Sequence, residues 1–318
     1  MRINSPHICI AMTTFNGERY LREQLDSLYV QTLLPSEVVV CDDGSTDGTL
    51  AILEEYHQKK GLTYFTNESS LGINRNFIKA IEMCRGDYVS LCDQDDVWMP
   101  DKIEQSYQVL SQWDNVPAVV STRRVDVNAQ LEPIVIPNYG FDQHLTSSIV
   151  FNICSQGCTL MLNRRMVEVL LGIVEQYPEL LDCAYYDALI GIIAASIGYK
   201  YNLPAPTLYY RHHTTNAIGK EQVHYTQKEL IGLRPRYHYS LPNDRLACLQ
   251  TLYPLIKDQI TNPKVHRCYQ EALRMKQTNN LWLSLWRLLR MHDVPLSRKL
   301  RIIAFSGCNQ ILRYVSQH

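Results

Sequence analysis

Twice within the first hundred residues, a short apolar run rich in β-branched side chains stops in a group of carboxylates, and a helical pattern follows. Glu37-Val38-Val39-Val40-Cys41 leads into Asp42-Asp43-Gly44-Ser45-Thr46-Asp47-Gly48-Thr49 and then a helical stretch over 50–58. Tyr88-Val89-Ser90-Leu91-Cys92 leads into Asp93-Gln94-Asp95-Asp96-Val97-Trp98 and a helix beginning near Pro100. Apolar runs this short and continuous read as strands buried on both faces. Adjacent carboxylates repel unless a cation or hydrogen-bond donors neutralise them. A helix cap accounts for one Asp in each turn; Asp47 suits that role, and Gly44 is free to take a positive φ. Three acids at 93, 95 and 96 exceed what a cap needs, and a divalent cation is the favoured occupant. In an open α/β sheet ligands bind beyond the carboxyl ends of the strands, so both turns are expected to face one crevice.

The same alternation runs through the first half of the chain. Residues 8–12 and 62–65 read as further strands, and helical spacing covers 18–29, 49–59 and 74–84. Strands alternating with helices predict an α/β fold, with a mostly parallel central sheet flanked by helices. Residues 118–121 add a strand, and Gln156-Gly157-Cys158-Thr159-Leu160 begins a run that re-enters the core beside the site. The polar segment 126–150, with Pro133 and Pro137, is expected to loop over that site. Tyr185-Tyr186-Asp187 opens a helix over 188–197, and 203–213 closes the body. From about Gln222 the pattern turns helical, which divides the chain into 1–221 and a mainly helical 222–318.

The succession Thr13-Thr14-Phe15-Asn16, Val40-Cys41-Asp42-Asp43-Gly44-Ser45-Thr46-Asp47, Asn67 to Asn76 and Asp93-Gln94-Asp95-Asp96-Val97-Trp98 resembles the family 2 glycosyltransferases over residues 6–220. The resemblance implies an inverting, metal-dependent enzyme of the GT-A fold that uses a nucleotide-sugar donor. The Asp-Gln-Asp-Asp-Val-Trp form is similar to bacterial members that build O-antigen or capsule repeats, including rhamnosyltransferases. The donor expected on that resemblance is dTDP-rhamnose, a UDP-hexose or a relative; the acceptor expected is a saccharide, and the basic C-terminal region suits one linked to undecaprenyl diphosphate.

Such a transfer needs the leaving diphosphate neutralised, the nucleobase held and the acceptor hydroxyl deprotonated. A hard cation, Mn2+ or Mg2+, held by carboxylates and phosphate oxygens meets the first need. Asp95 is assigned to direct metal contact, and Asp93 to the ribose and the metal's surroundings; Asp96 either helps or shapes the turn. The resemblance points to Thr13, Phe15 and Asp42 for the nucleotide, with Asp43 ranked below Asp42. Arg75 stands where the family has a basic residue near the phosphates, with a surface helix Arg as the ordinary alternative. Asp187 falls at the family's general-base position and is the candidate base; a helix N-cap is the ordinary alternative, and the two roles can coexist. Tyr210-Arg211-His212-His213-Thr214-Thr215-Asn216 is similar to the family's Tyr-Arg-Gln-His-x-x-Asn; it implies His213 at the metal and Arg211 beside the diphosphate. Gln replaced by His212 leaves open which imidazole reaches the ion.

Charge is unevenly spread. Residues 1–224 carry 16 Lys and Arg against 27 Asp and Glu, whereas residues 225–318 carry 15 against 5. The acidic part suits a site that concentrates cations, and the basic part suits an anionic surface. Trp282, Leu285, Trp286 and Leu289 share one helical face flanked by Arg287 and Arg290. Residues 280–303 therefore read either as an interfacial helix on the inner leaflet or as a helix packed on the core. No apolar run reaches the ~18–20 residues of a membrane span, and the N-terminus enters a strand without a signal-peptide pattern. The 10 cysteines lack a Cys-x-x-Cys pair and read as buried thiols of a reducing cytosol. A cytoplasmic enzyme, peripheral at the inner membrane and without a nucleic-acid partner, is the expectation. The missing glycine-rich phosphate loop and Gly-x-Gly-x-x-Gly disfavour a nucleotidyltransferase and a dinucleotide oxidoreductase. The remaining alternative is an inactive scaffold of the same fold that docks through its basic end.

Overall fold

The computed structural model describes residues 6–135, 156–213 and 245–277. β1 (Ile8–Thr14) leads through α1 (Leu21–Leu28) to β2 (Glu37–Asp42), and α2 (Thr49–Lys60) leads to β3 (Thr63–Thr66). α3 (Gly72–Met83) precedes β4 (Tyr88–Cys92), a short β5 (Val97–Trp98), α4 (Lys102–Leu110) and β6 (Ala118–Val127). Then come β7 (Leu160–Asn163), α5 (Arg164–Gln176), the single turn α6 (Leu180–Cys183), α7 (Tyr186–Ile197) and β8 (Tyr199–Arg211). Two helices follow, α8 (Arg245–Ile256) and α9 (Pro263–Gln277).

The eight strands form one sheet in the order β3-β2-β1-β4-β7-β6-β8-β5. β3, β2, β1 and β4 run parallel to one another, as do β6 and β8. β7 runs antiparallel between β4 and β6, and β5 pairs antiparallel with β8. The sheet is thus mixed, and the switch falls next to β4, whose end carries Asp93.

Alternation along β1 shows why the sheet is covered on both sides. Cys9 and Ala11 join an apolar layer with Phe77, Ala80 and Ile81 of α3 and Leu189, Ile190 and Ile193 of α7. Ile8, Ile10 and Met12 face the opposite layer with Leu21, Leu25 and Leu28 of α1 and Leu53 of α2. Successive side chains of a strand point to opposite faces, so a continuous apolar run requires a helix layer on each. Cys248, Leu249 and Leu252 of α8 and Val265 and Tyr269 of α9 belong to the first layer. Tyr269 also shares a buried 2.8 Å hydrogen bond with Ser196 of α7. The helices on the far side of residue 222 therefore complete the core of the preceding body.

Several boundaries moved from their expected places. α1 begins at Leu21 because residues 17–20 form a turn in which Gly17 O accepts from the Tyr20 and Leu21 amides. Gly48 precedes α2, and Asp47 acts one residue earlier, its Oδ1 accepting from Thr49 N–H at 3.0 Å. Gly61 closes α2 with φ of 73°, the left-handed conformation a helix end favours in glycine. Seven described cysteines are free thiols, six of them buried. No helix among the described residues is long and apolar enough to cross a membrane. The tryptophan face at 282–289, the segment 280–303 and the loop beyond residue 135 lie outside the described residues.

Candidate active site

Three strand ends meet at the carboxyl edge of the sheet. The turn after β1 is bonded to the turn after β2: Asn16 N–H donates to Ser45 Oγ at 2.8 Å, and Asn16 Oδ1 accepts from Thr46 N–H at 2.9 Å. It is also bonded to the turn after β4 through Gln94. That side chain accepts from Phe15 N–H at 2.9 Å and donates to Phe15 O at 3.0 Å. The sheet order places β1 between β2 and β4, so the two acidic turns flank one loop.

Asp95 and His213 lie against each other, with Nε2 and Oδ2 2.8 Å apart. The His213 ring packs on Tyr20 at 4.7 Å between centroids. One ligand atom each from Asp93, Asp96 and Cys158 lie within 4.8 Å of one another. Loss of solvent, then the nearby Asp95 and Asp187, raise the Asp93 carboxyl to about 7. Burial, then Asp95 and Asp93, push Asp96 up as well. Asp96 is fully buried; its Oδ1 accepts from Arg211 N–H at 3.1 Å, and its Oδ2 has no hydrogen-bond partner. Crowded carboxylates of this kind favour protons or a cation.

Asp187 stands in the first turn of α7. Its Oδ2 accepts from Gly157 N–H at 3.2 Å and its Oδ1 from Ala188 N–H at 2.6 Å. α7 is fixed by Asn74 of α3, which accepts from Tyr186 N–H at 3.0 Å and donates to Leu181 O and Ala184 O at 2.6 and 3.0 Å. Phe77 of α3 stacks on Tyr186 at 4.1 Å. A Cβ on Gly157 would overlap the Tyr186 hydroxyl, so glycine is required where the β7 strand enters. Asp187 and Asp93, from α7 and the end of β4, thereby share one electrostatic environment.

Other expected residues stand differently. Asp42, expected to accept a base N–H, is fully buried, and protein donors occupy it: Thr14 Oγ1 at 2.7 Å, Ser45 N at 2.8 Å and Gly44 N at 3.1 Å. It organises the turn. Asp43 also faces inward, accepting from Asn67, Ser70, Leu71 and Gly72. Arg211, expected at the diphosphate, is 1% exposed and its three nitrogens donate to Asp95 O, Ala129 O and Glu23. It clamps the acidic loop. Arg75, expected at a phosphate, pairs with Asp182 at 2.8 Å on the surface. His212 bonds Asp126 at 2.8 Å, which leaves His213 as the imidazole beside Asp95. Thr13 is partly buried opposite Cys41 in the β1–β2 register, and Phe15 is 52% exposed. Sequence reasoning missed Gln94, Tyr20, Asn74 and Cys158. Glutamine between two acids was the one visible signal among them.

A mixed sheet with acidic turns at neighbouring strand ends and a closing His is the arrangement of a GT-A glycosyltransferase. The sequence profile of Glycosyl transferase family 2 matches residues 9–170, and the chain belongs to that family. The dTDP-rhamnosyl transferase RfbG of Shigella flexneri is 25% identical over 297 residues, spanning 88% of this chain and 94% of that protein. The chondroitin synthase of Escherichia coli is 35% identical over 99 residues, which are 31% of this chain and 14% of that one. Among solved structures, S. aureus TarS 1-349 in complex with UDP superposes with a TM-score of 0.55 at 17% identity, covering 92% of this chain and 77% of that one. The mannosyltransferase PcManGT from Pyrobaculum calidifontis, in complex with GDP-Man and Mn2+, gives 0.53 at 17% identity over 97% and 81%.

Proposed function

We propose that the chain is an inverting glycosyltransferase that moves a sugar from a nucleoside-diphosphate donor to a saccharide hydroxyl. The observation that carries this is the convergence of Asp93, Asp95, Asp187 and His213 from three parts of the chain. Asp95, Asp93 and His213 would hold a divalent cation, Mn2+ or Mg2+, which supplies charge neutralisation for the leaving diphosphate. Phe15 and Thr13 flank the nucleotide, and the buried Asp42 keeps their neighbouring turn in shape. Asp187 removes the proton from the acceptor hydroxyl as that oxygen attacks the anomeric carbon. Gly157 and Ala188 amides orient its carboxylate. A single displacement inverts the anomeric centre. Arg211 acts on the acidic loop rather than on the donor.

The end-to-end match to a dTDP-rhamnosyl transferase supports dTDP-rhamnose as donor, with a UDP-hexose as the alternative. Residues 1–221 form the catalytic body, and the basic 222–318 region suits an acceptor on an anionic lipid, held at the cytoplasmic face in polysaccharide assembly. The test is mass spectrometry of lipid-linked acceptors incubated with a panel of nucleotide sugars, with Mn2+ or with EDTA. One sugar increment is expected, lost in EDTA. Asp187→Asn is expected to lower transfer about 10²–10⁴-fold with nucleotide binding retained. No increment with any donor, or transfer indifferent to EDTA and to Asp95→Ala, would defeat the reading.

A further inference from the structure

Gln94 sits between Asp93 and Asp95, yet its carboxamide serves another loop. It forms a closed pair of hydrogen bonds with the backbone of Phe15, 79 residues earlier: Oε1 takes the N–H at 2.9 Å, and Nε2 gives to the carbonyl at 3.0 Å. A carboxamide offers a donor and an acceptor side by side in one plane, the match for a backbone N–H and C=O; a carboxylate lacks the donor. Gly17 completes the fit, since a Cβ there would overlap Gln94 Oε1. From the other side the same loop is tied down by Asn16 to Ser45 and by Gly17 N–H to Thr49 Oγ1 at 2.8 Å. Asn16 adopts φ of 47°, so the backbone here is folded tightly into its turn. The result is a fixed main chain carrying a ring that is 52% exposed.

We propose that Gln94 is a positioning residue that sets the exposed Phe15 ring at a fixed spacing from Asp93 and Asp95, matched to a base and its diphosphate. The inference rests on the nucleotide-sugar reading above and adds the part that measures the nucleotide. A platform whose backbone is already held loses less freedom on binding than a mobile loop. Gln94 touches neither the reacting atoms nor the ion; it acts through Phe15. Its loss should therefore appear in nucleotide affinity rather than in turnover.

The test is calorimetry of UDP and dTDP with the full chain in excess Mn2+, alongside donor KM and kcat. Gln94→Glu and Gln94→Ala are expected to weaken nucleotide binding about tenfold and raise donor KM in step. Turnover is expected to stay within about twofold, because the acids keep their own bonds to Arg211 and His213. Gly17→Ala, which crowds the carboxamide from outside the acidic loop, is expected to reproduce the loss. In a Phe15→Ala background, Gln94→Ala is expected to add nothing further. Thermal midpoints near wild type identify the variants that are folded. Unchanged nucleotide affinity, losses that multiply independently in the double variant, or a fall in kcat with affinity intact would each overturn the proposal. Wild type that binds neither nucleotide would instead remove the underlying reading, and that result is seen before any variant is made.

Discussion

Asp42 and Asp43 are adjacent, and both look like ligands in the sequence, but each is claimed by the protein. Asp43 gathers Asn67 and Ser70 side chains and the Leu71 and Gly72 amides at the start of α3. Burial alone would raise its carboxyl; the four donors outweigh that and hold it below the ordinary 3.8. A depressed acid stabilises the fold above the unfolded value and loses that contribution as pH falls below about 3.8. Asp43→Asn is expected to flatten this acid arm in denaturant titrations and to cost about 1–3 kcal/mol at pH 7, because a donor now meets donors. At the residue scale, the sequence reveals where acids gather and not whom they face. The pairing of Asp95 with a His 118 positions later was legible through the motif order. The inward turn of Asp42, and of Arg211 onto Glu23, was not, since nothing local distinguishes a protein donor from a ligand's.

Elements carry the same lesson through their neighbours. β4 lies where its apolar run predicts, and β2 extends one residue into the acids. β8 escaped notice because Pro204 and Pro206 break any regular alternation. Among the described residues β5 pairs only with residues 208 and 209, so the earlier part of that edge has β6 alone as a partner there, a setting that tolerates proline. The register shift at Arg123 opposite Pro206 marks the same irregularity. α7 shows an element placed by another element: Asn74 of α3 supplies three hydrogen bonds to the chain just before and at its first turn. Asn74→Leu keeps the volume and removes those bonds, stranding two carbonyls and an amide. We expect a loss of about 3 kcal/mol, read by chemical denaturation, together with a fall in transfer as Asp187 moves. Addition of the donor should not restore the rate.

For the molecule as a whole, the two apolar layers and the C-terminal helices form one support beneath the loops. α8 and α9 feed the layer that also holds α3, α5 and α7. Truncation after residue 221 is therefore expected to uncover part of that layer, Ser196 of α7 included, and to give an aggregating or molten chain, checked by near-UV circular dichroism and gel filtration. β1 has partners on both sides and helices over both faces, so its amides have the fewest routes to water. In heavy water those amides should be among the last to take up deuterium, even though the loop that leaves β1 at Thr14 presents Phe15 to solvent. The molecule would then join its slowest-exchanging segment directly to the part that greets the incoming substrate.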